Sequence, residues 1–140
     1  MKAYLSRRYR ISASHRLHTE RYSSEKNQAV YGKCNHPHGH GHNYIVEVMV
    51  SGEVDPVTGM VCNLSDLDGF MQREIVDRFD HKNLNLDASF QTLVPTTENF
   101  CLEIYGVIHA GFLHAKLEKV RVEETSNNSF EYAGPSGNER

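Results

Sequence analysis

The chain has 140 residues, 39% apolar and 24% charged, which excludes a disordered polymer and leaves room for one domain with its own core. Fifteen basic against 18 acidic side chains give a net charge of −3, which excludes the strongly basic surface that dominates nucleic-acid affinity. No apolar run reaches the length of a membrane span, and three cysteines without C-x-x-C spacing exclude a disulfide framework.

Met1-Lys2-Ala3 leads straight into strand-like sequence with no apolar stretch to be cleaved as a leader, so the expected compartment is the cytoplasm. Residues 4–14 alternate, with Leu5, Arg7, Tyr9, Ile11 and Ala13 on one face, and read as a strand. In the polar stretch that follows, Ser24 is placed as the N-cap of a short helix running to Tyr31 and stopped by Gly32. Residues 42–51, rich in β-branched side chains, form a second strand. Asp55-Pro56 and Gly59 then turn the chain into a short extended piece at 60–63. Ser65 with Asp68 resembles a capping box, and Leu67, Phe70, Met71, Ile75 and Phe79 keep helical spacing as far as Asp80. Pro95-Thr96 opens a second long helix, with Glu98 in its first turn and an apolar stripe of Phe100, Cys101, Ile104, Tyr105 and Ile108. Residues 116–126 alternate as a strand, Asn127-Asn128 makes a tight turn, and 129–133 returns. The Gly- and Pro-containing tail, 134–140, reads as frayed, which leaves 1–133 as a single domain.

Strands and helices are thus segregated along the chain. The pattern predicts an α+β fold, a four-stranded antiparallel sheet with two main helices packed on one face. The uncovered face and edges predict self-association.

Histidine is the compositional outlier, nine in all with four between His36 and His42. His40 and His42 flank Gly41 at a strand entry, and side chains two apart on a strand share a face. His15 continues the Ile11 and Ala13 face, where a polar ring needs a partner. Two antiparallel neighbours would bring the three imidazoles together, a donor set suited to zinc with one position left open. His36 and His38 lie in a stretch broken by Pro37 and Gly39 and are expected to be exposed.

Three further groups carry chemistry. Cys34 sits beside Lys33 in a polar loop leading to the metal strand, a setting that favours a reactive thiolate, whereas Cys62 and Cys101 read as packing residues. Asp80-His81 closes the first long helix, where an imidazole serves either as a C-cap or as an acid–base group. Glu124 follows Val120 and Val122 on one face of a strand, so its carboxylate needs donors, from a paired N–H edge of a ligand or from a buried salt bridge.

In combination, Ser12-Ala13-Ser14-His15-Arg16-Leu17, Gly32-Lys33-Cys34-Asn35, His40-Gly41-His42-Asn43-Tyr44, Asp80-His81-Lys82-Asn83-Leu84, Thr96-Thr97-Glu98-Asn99 and Glu124-Thr125 resemble the 6-pyruvoyl tetrahydropterin synthase family across residues 6–133. The resemblance implies the tunnelling fold, in which trimerisation joins the sheets into a twelve-stranded barrel and two trimers stack into a homohexamer. It implies 7,8-dihydroneopterin triphosphate as substrate, and 6-pyruvoyl tetrahydropterin and triphosphate as products, in tetrahydrobiopterin biosynthesis. His15, His40 and His42 match the family's Zn2+ ligands and Cys34 its general base. Asp80 and His81 match a second proton relay, Glu124 the pterin anchor that is sometimes assigned to the catalytic relay as well, and Thr96 and Thr97 the pterin pocket. Sites of this kind lie between subunits. No nicotinamide is expected, and no G-x-G-x-x-G is present to hold one.

Five residues separate Cys34 from His40, as in pyruvoyl-forming members, where carboxy-tetrahydropterin synthases typically place three. The alternatives are therefore 6-carboxy-tetrahydropterin synthesis from the same substrate, and a zinc-containing pterin-binding module without turnover. The full set of Cys34, Asp80, His81 and Glu124 argues against a pure binder, which needs no thiol base.

Overall fold

The alternation at the start of the chain becomes β1 (Lys2–His15), with Ile11, Ala13 and His15 buried. The computed structural model describes residues 1–135; residues 136–140, most of the tail read as frayed, lie outside the described residues. β2 (His40–Glu53) pairs antiparallel with β1 along its whole length, from Lys2 opposite Glu53 to His15 opposite His40. The structure adds β3, only Lys82–Asn83, which runs parallel to Ala13 and Ser14. β4 (Lys116–Thr125) pairs with the other side of β2, and β5 (Asn128–Tyr132) pairs with β4.

The sheet order is β3-β1-β2-β4-β5, so the sheet is five-stranded and mixed rather than four-stranded and antiparallel. The extra strand has a local cause. His81 adopts a left-handed φ of 59° and donates its N–H to the Ser12 carbonyl at 2.6 Å. The Ser12 N–H in turn donates to Asp80 Oδ1 at 2.8 Å. These bonds lay the next two residues along the edge of β1.

Among the described residues, three helices of eight residues or more accompany the sheet. α1 spans Ser24–Tyr31 and ends at Gly32, whose φ of 56° suits glycine. α2 (Leu64–Met71) continues through a π-helical turn, Gln72–Val76, into a last α turn, Asp77–Phe79. α3 spans Thr97–Gly111, capped by Thr96, whose hydroxyl accepts from the Asn99 N–H at 3.1 Å.

Two caps differ from the sequence expectation. Ser23, not Ser24, caps α1 by accepting from the Lys26 N–H, and Asn63, not Ser65, caps α2 by accepting from the Ser65 N–H. In each case the earlier residue holds the extended backbone a cap requires. Residues 60–63 form no strand: 61 and 62 are bends, the Met60 carbonyl closes a turn by accepting from the Asp55 N–H, and Asn63 is taken up as the cap. The hairpin turns at 126–127, one residue earlier than expected, where the Thr125 hydroxyl accepts from the Asn127 N–H.

One core lies between the sheet and the helices. Tyr44, Val46, Val48 and Val50 of β2 and Leu117, Val120 and Val122 of β4 meet Leu67, Met71, Ile75 and Phe79, together with Phe100, Ile104 and Ile108 of α3. Each large side chain fully buried here contributes roughly 1.5–3 kcal/mol. Cys101 belongs to this core, and burial pushes its thiol up to about 12. The opposite face of the sheet is polar, with Arg8 against Glu47 and Arg121 against Glu123. Among the described residues, no helix is long and apolar enough to cross a membrane.

Candidate metal centre and active site

The β1–β2 register places His15 directly opposite His40, and His42 follows two residues later on the same face. One ring nitrogen from each lies within 4.8 Å of the others. His15 Nε2 and His40 Nε2 are 3.1 Å apart. The loop leading to His40 passes so close to β1 that a Cβ on Gly39 would stand 2.8 Å from the His15 carbonyl oxygen, and Gly39 has a φ of 72°. Only glycine meets both conditions without displacement.

Burial lowers the pKa of His15, and the neighbouring His40 and His42 lower it further against the opposing Pro95 bond. Burial followed by His42 lowers that of His40. Both effects favour the neutral ring that ligates metal. His15 Nδ1 donates to the Pro95 carbonyl at 2.8 Å, which leaves Nε2 facing its partners. His42 Nε2 is buried and, among the described residues, has no hydrogen-bond partner. Such an orphaned atom costs about 1–3 kcal/mol, a cost that a bound cation removes. Three converging imidazoles with an orphaned nitrogen fit a divalent metal.

Glu124 faces this cluster from the end of β4, continuing the Val120 and Val122 face as its alternation predicts. The β4–β5 pairing is irregular between Glu123 and Thr125, so Glu124 has no register position opposite it on β5. Its carboxylate accepts from the Thr97 hydroxyl and, at 3.4 Å, from Asn128 Nδ2, and it stands 3.9 Å from His42 Nε2. Burial opposes its charge, but the Thr97 and Asn128 donors and the nearby His42 and His15 outweigh it and hold the pKa below the ordinary range. Among the described residues the donors that the carboxylate requires are therefore Thr97 and Asn128, rather than a salt-bridging lysine or arginine.

Cys34 is half-buried on a 3-10 turn, Gly32–Asn35. Its carbonyl accepts from the Leu17 N–H at 2.9 Å, Asn35 Nδ2 donates to the Leu17 carbonyl at 2.7 Å, and Arg16 Nε donates to the Asn35 carbonyl at 3.0 Å. The turn is thereby tied to the residues just after His15. The buried Tyr44 phenol feels both sides of the site: burial raises its pKa far above the usual range, and Glu124 and Cys34 raise it further.

The structure thus gathers His15, His40, His42, Thr97 and Glu124, and ties the Cys34 turn to Leu17, two residues after His15. Thr96, at the end of α3 beside Thr97, is occupied as the cap. Asp80 and His81 lie just before β3, and His81 lines an open cavity together with Ser12, Ser14, His42 and Asn43. Both are bonded to the backbone of Ser12, and the His81 ring, 70% exposed, has its Nδ1 3.9 Å from Asp80 Oδ1. His36 and His38 are exposed as expected, their rings 5.7 Å apart. Sequence reasoning misses Tyr44, Asn128 and the Pro95 carbonyl. Tyr44 is within reach of the same two-residue alternation that selects His40 and His42; a backbone carbonyl 80 residues from His15 leaves no trace in the sequence.

The chain is similar in sequence and fold to known proteins. The family profile described as 6-pyruvoyl tetrahydropterin synthase matches residues 4–135. The chain is 48% identical over 134 residues to the 6-pyruvoyl tetrahydrobiopterin synthase of Homo sapiens, covering 95% of this chain and 92% of that protein. It is 43% identical over 135 residues to the protein of the same name from Drosophila melanogaster, covering 95% and 80%. The solved structure of Caenorhabditis elegans 6-pyruvoyl tetrahydropterin synthase superposes with a TM-score of 0.92 at 39% identity, covering 96% of this chain and 97% of that one.

Proposed function

The chain belongs to the 6-pyruvoyl tetrahydropterin synthase family, and from that premise we propose how its residues convert 7,8-dihydroneopterin triphosphate into 6-pyruvoyl tetrahydropterin and triphosphate. It is an enzyme of tetrahydrobiopterin synthesis. The observation that carries the reading of the site is the convergence of three imidazoles, one with an orphaned buried nitrogen, opposite a carboxylate held by Thr97.

His15, His40 and His42 would hold the Zn2+ ion. Zinc held there supplies Lewis acidity at the side-chain oxygens of the substrate. Glu124 accepts the paired N–H groups of the pterin edge and orients the ring, with Thr97 fixing the carboxylate and Thr96 at the rim. Cys34 acts as the general base that takes a carbon-bound proton from the side chain. Asp80 and His81 return a proton elsewhere. Because the hydrogens lost by the side chain match those gained by the ring, the conversion needs no external reductant, and triphosphate leaves by elimination.

The exposed His81 suits a role in the site of a neighbouring subunit, and we read the assembly as a homohexamer of two trimers, each trimer joining its sheets into a barrel. Residues 1–133 act as the single tetrahydropterin synthase domain, and the three free cysteines suit a reducing cytoplasm. Incubation of the zinc-loaded protein with 7,8-dihydroneopterin triphosphate tests the reading. Release of triphosphate with a product of the pyruvoyl mass is expected. A carboxy product would transfer the chain to the sister reaction, and binding without triphosphate release would make it a pterin-binding module.

A further inference from the structure

His15 is gripped from behind by two oxygens. Its Nδ1 lies 2.8 Å from the Pro95 carbonyl and 3.3 Å from the Tyr44 hydroxyl. A carbonyl can only accept, so Nδ1 carries the hydrogen and shares it between the two oxygens. Nε2 is then a lone pair, 3.1 Å from His40 Nε2.

Tyr44 is fully buried and sits one alternation beyond His42 on the same face of β2. Its ring stands edge-on to His15 at 6.3 Å, to His42 at 5.6 Å and to Phe100 at 5.0 Å. Phe100 fixes the ring against the core, and the ring supports two of the three imidazoles. Burying a hydroxyl costs free energy that a phenylalanine in the same volume would avoid. The hydroxyl's hydrogen-bond partner among the described residues is His15 Nδ1.

We propose that Tyr44 is a positioning residue of the metal centre: its hydroxyl, together with the Pro95 carbonyl, holds His15 as the Nδ1–H tautomer with Nε2 aimed at the ion. This rests on the reading of the histidine cluster as a metal site. Groups that orient a ligating histidine in this way typically change metal affinity 10–100-fold when removed.

The test uses the full chain stripped of metal and titrated with zinc against a competing chelator. Tyr44→Phe keeps the ring and removes only the hydroxyl, and it should bind zinc roughly 10- to 100-fold more weakly than the parent. Its metal-free form should unfold near the parent's temperature, because Pro95 still accepts from Nδ1. Nitrogen NMR of the metal-free parent should show the His15 hydrogen on Nδ1. Equal zinc affinity in Tyr44→Phe and the parent would overturn the role of Tyr44 alone. A His15 hydrogen on Nε2 would overturn it as well, even if the variant failed to fold. A parent that binds no zinc would remove the metal reading and this assignment together.

Discussion

Glu124→Gln keeps the shape of the side chain and removes its charge. In the structure the carboxylate accepts from the Thr97 hydroxyl and from Asn128 Nδ2, with His42 Nε2 at 3.9 Å. A glutamine has one oxygen and one NH2 group. If its oxygen keeps Thr97, its NH2 meets the NH2 of Asn128, and water reaches this partly exposed position to relieve the clash. The cost to folding is therefore modest. The cost to the pterin is larger, since a paired N–H edge loses one acceptor and the remaining bond loses its charge. Hydrogen bonds to charged groups contribute about 1.5–3 kcal/mol, and neutral ones about half that. Losing one and weakening the other comes to about 2–4 kcal/mol, or roughly 30- to 1,000-fold in affinity. Titration with a fluorescent pterin that lacks the triphosphate reads the binding loss directly. Single-turnover kinetics at saturating substrate should show the chemical rate changing less than the affinity. Thr97→Val should weaken binding in the same direction by a smaller factor, because the charge remains. Glu124→Gln binding pterin as tightly as the parent would refute the anchor and leave the carboxylate a structural group.

Other outcomes follow from the same geometry. Cys34→Ala should keep fold, metal and pterin affinity while single-turnover rates fall by roughly two to four orders of magnitude, the usual contribution of a general base; Cys101→Ala, which empties a core position, should instead lower the unfolding temperature. His40→Ala should lose metal and turnover together by elemental analysis, whereas His36→Ala and His38→Ala should retain about one zinc per chain. Because the folded, metal-free protein depresses the pKa values of His15 and His40, the unfolded chain takes up protons first as pH falls below the ordinary histidine value of about 6.5. Denaturant midpoints of the metal-free protein should therefore drop with acidification through that window; a rise there would contradict neutral His15 and His40 in the folded chain. Sedimentation should give about six times the chain mass of 16.0 kDa, and a stable, fully active monomer would refute a site shared between subunits.

Strand alternation is a local rule, and it makes much of this site legible in the amino-acid sequence. It sets His40 and His42 on one side of β2, carries His15 inward after Ile11 and Ala13, and turns Glu124 after Val120 and Val122. The helical stripe of α3 is equally legible, since a repeat of 3.6 residues over 15 residues leaves little room for another reading. Short-range competition blurs the edges. Ser23 displaces Ser24 and Asn63 displaces Ser65 as caps, because neighbouring polar residues differ little in capping power and backbone geometry decides between them. Two residues carry no periodicity, so β3 at Lys82–Asn83 exists only because His81 and Asp80 are bonded to Ser12 across the fold. The tautomer of His15 depends on Pro95 and Tyr44, 80 and 29 residues away, and the carboxylate of Glu124 on Thr97, 27 residues away. Residue type and local period determined which side chains face the site. Distances across the core, which only the folded chain sets, decided which atoms hold them there.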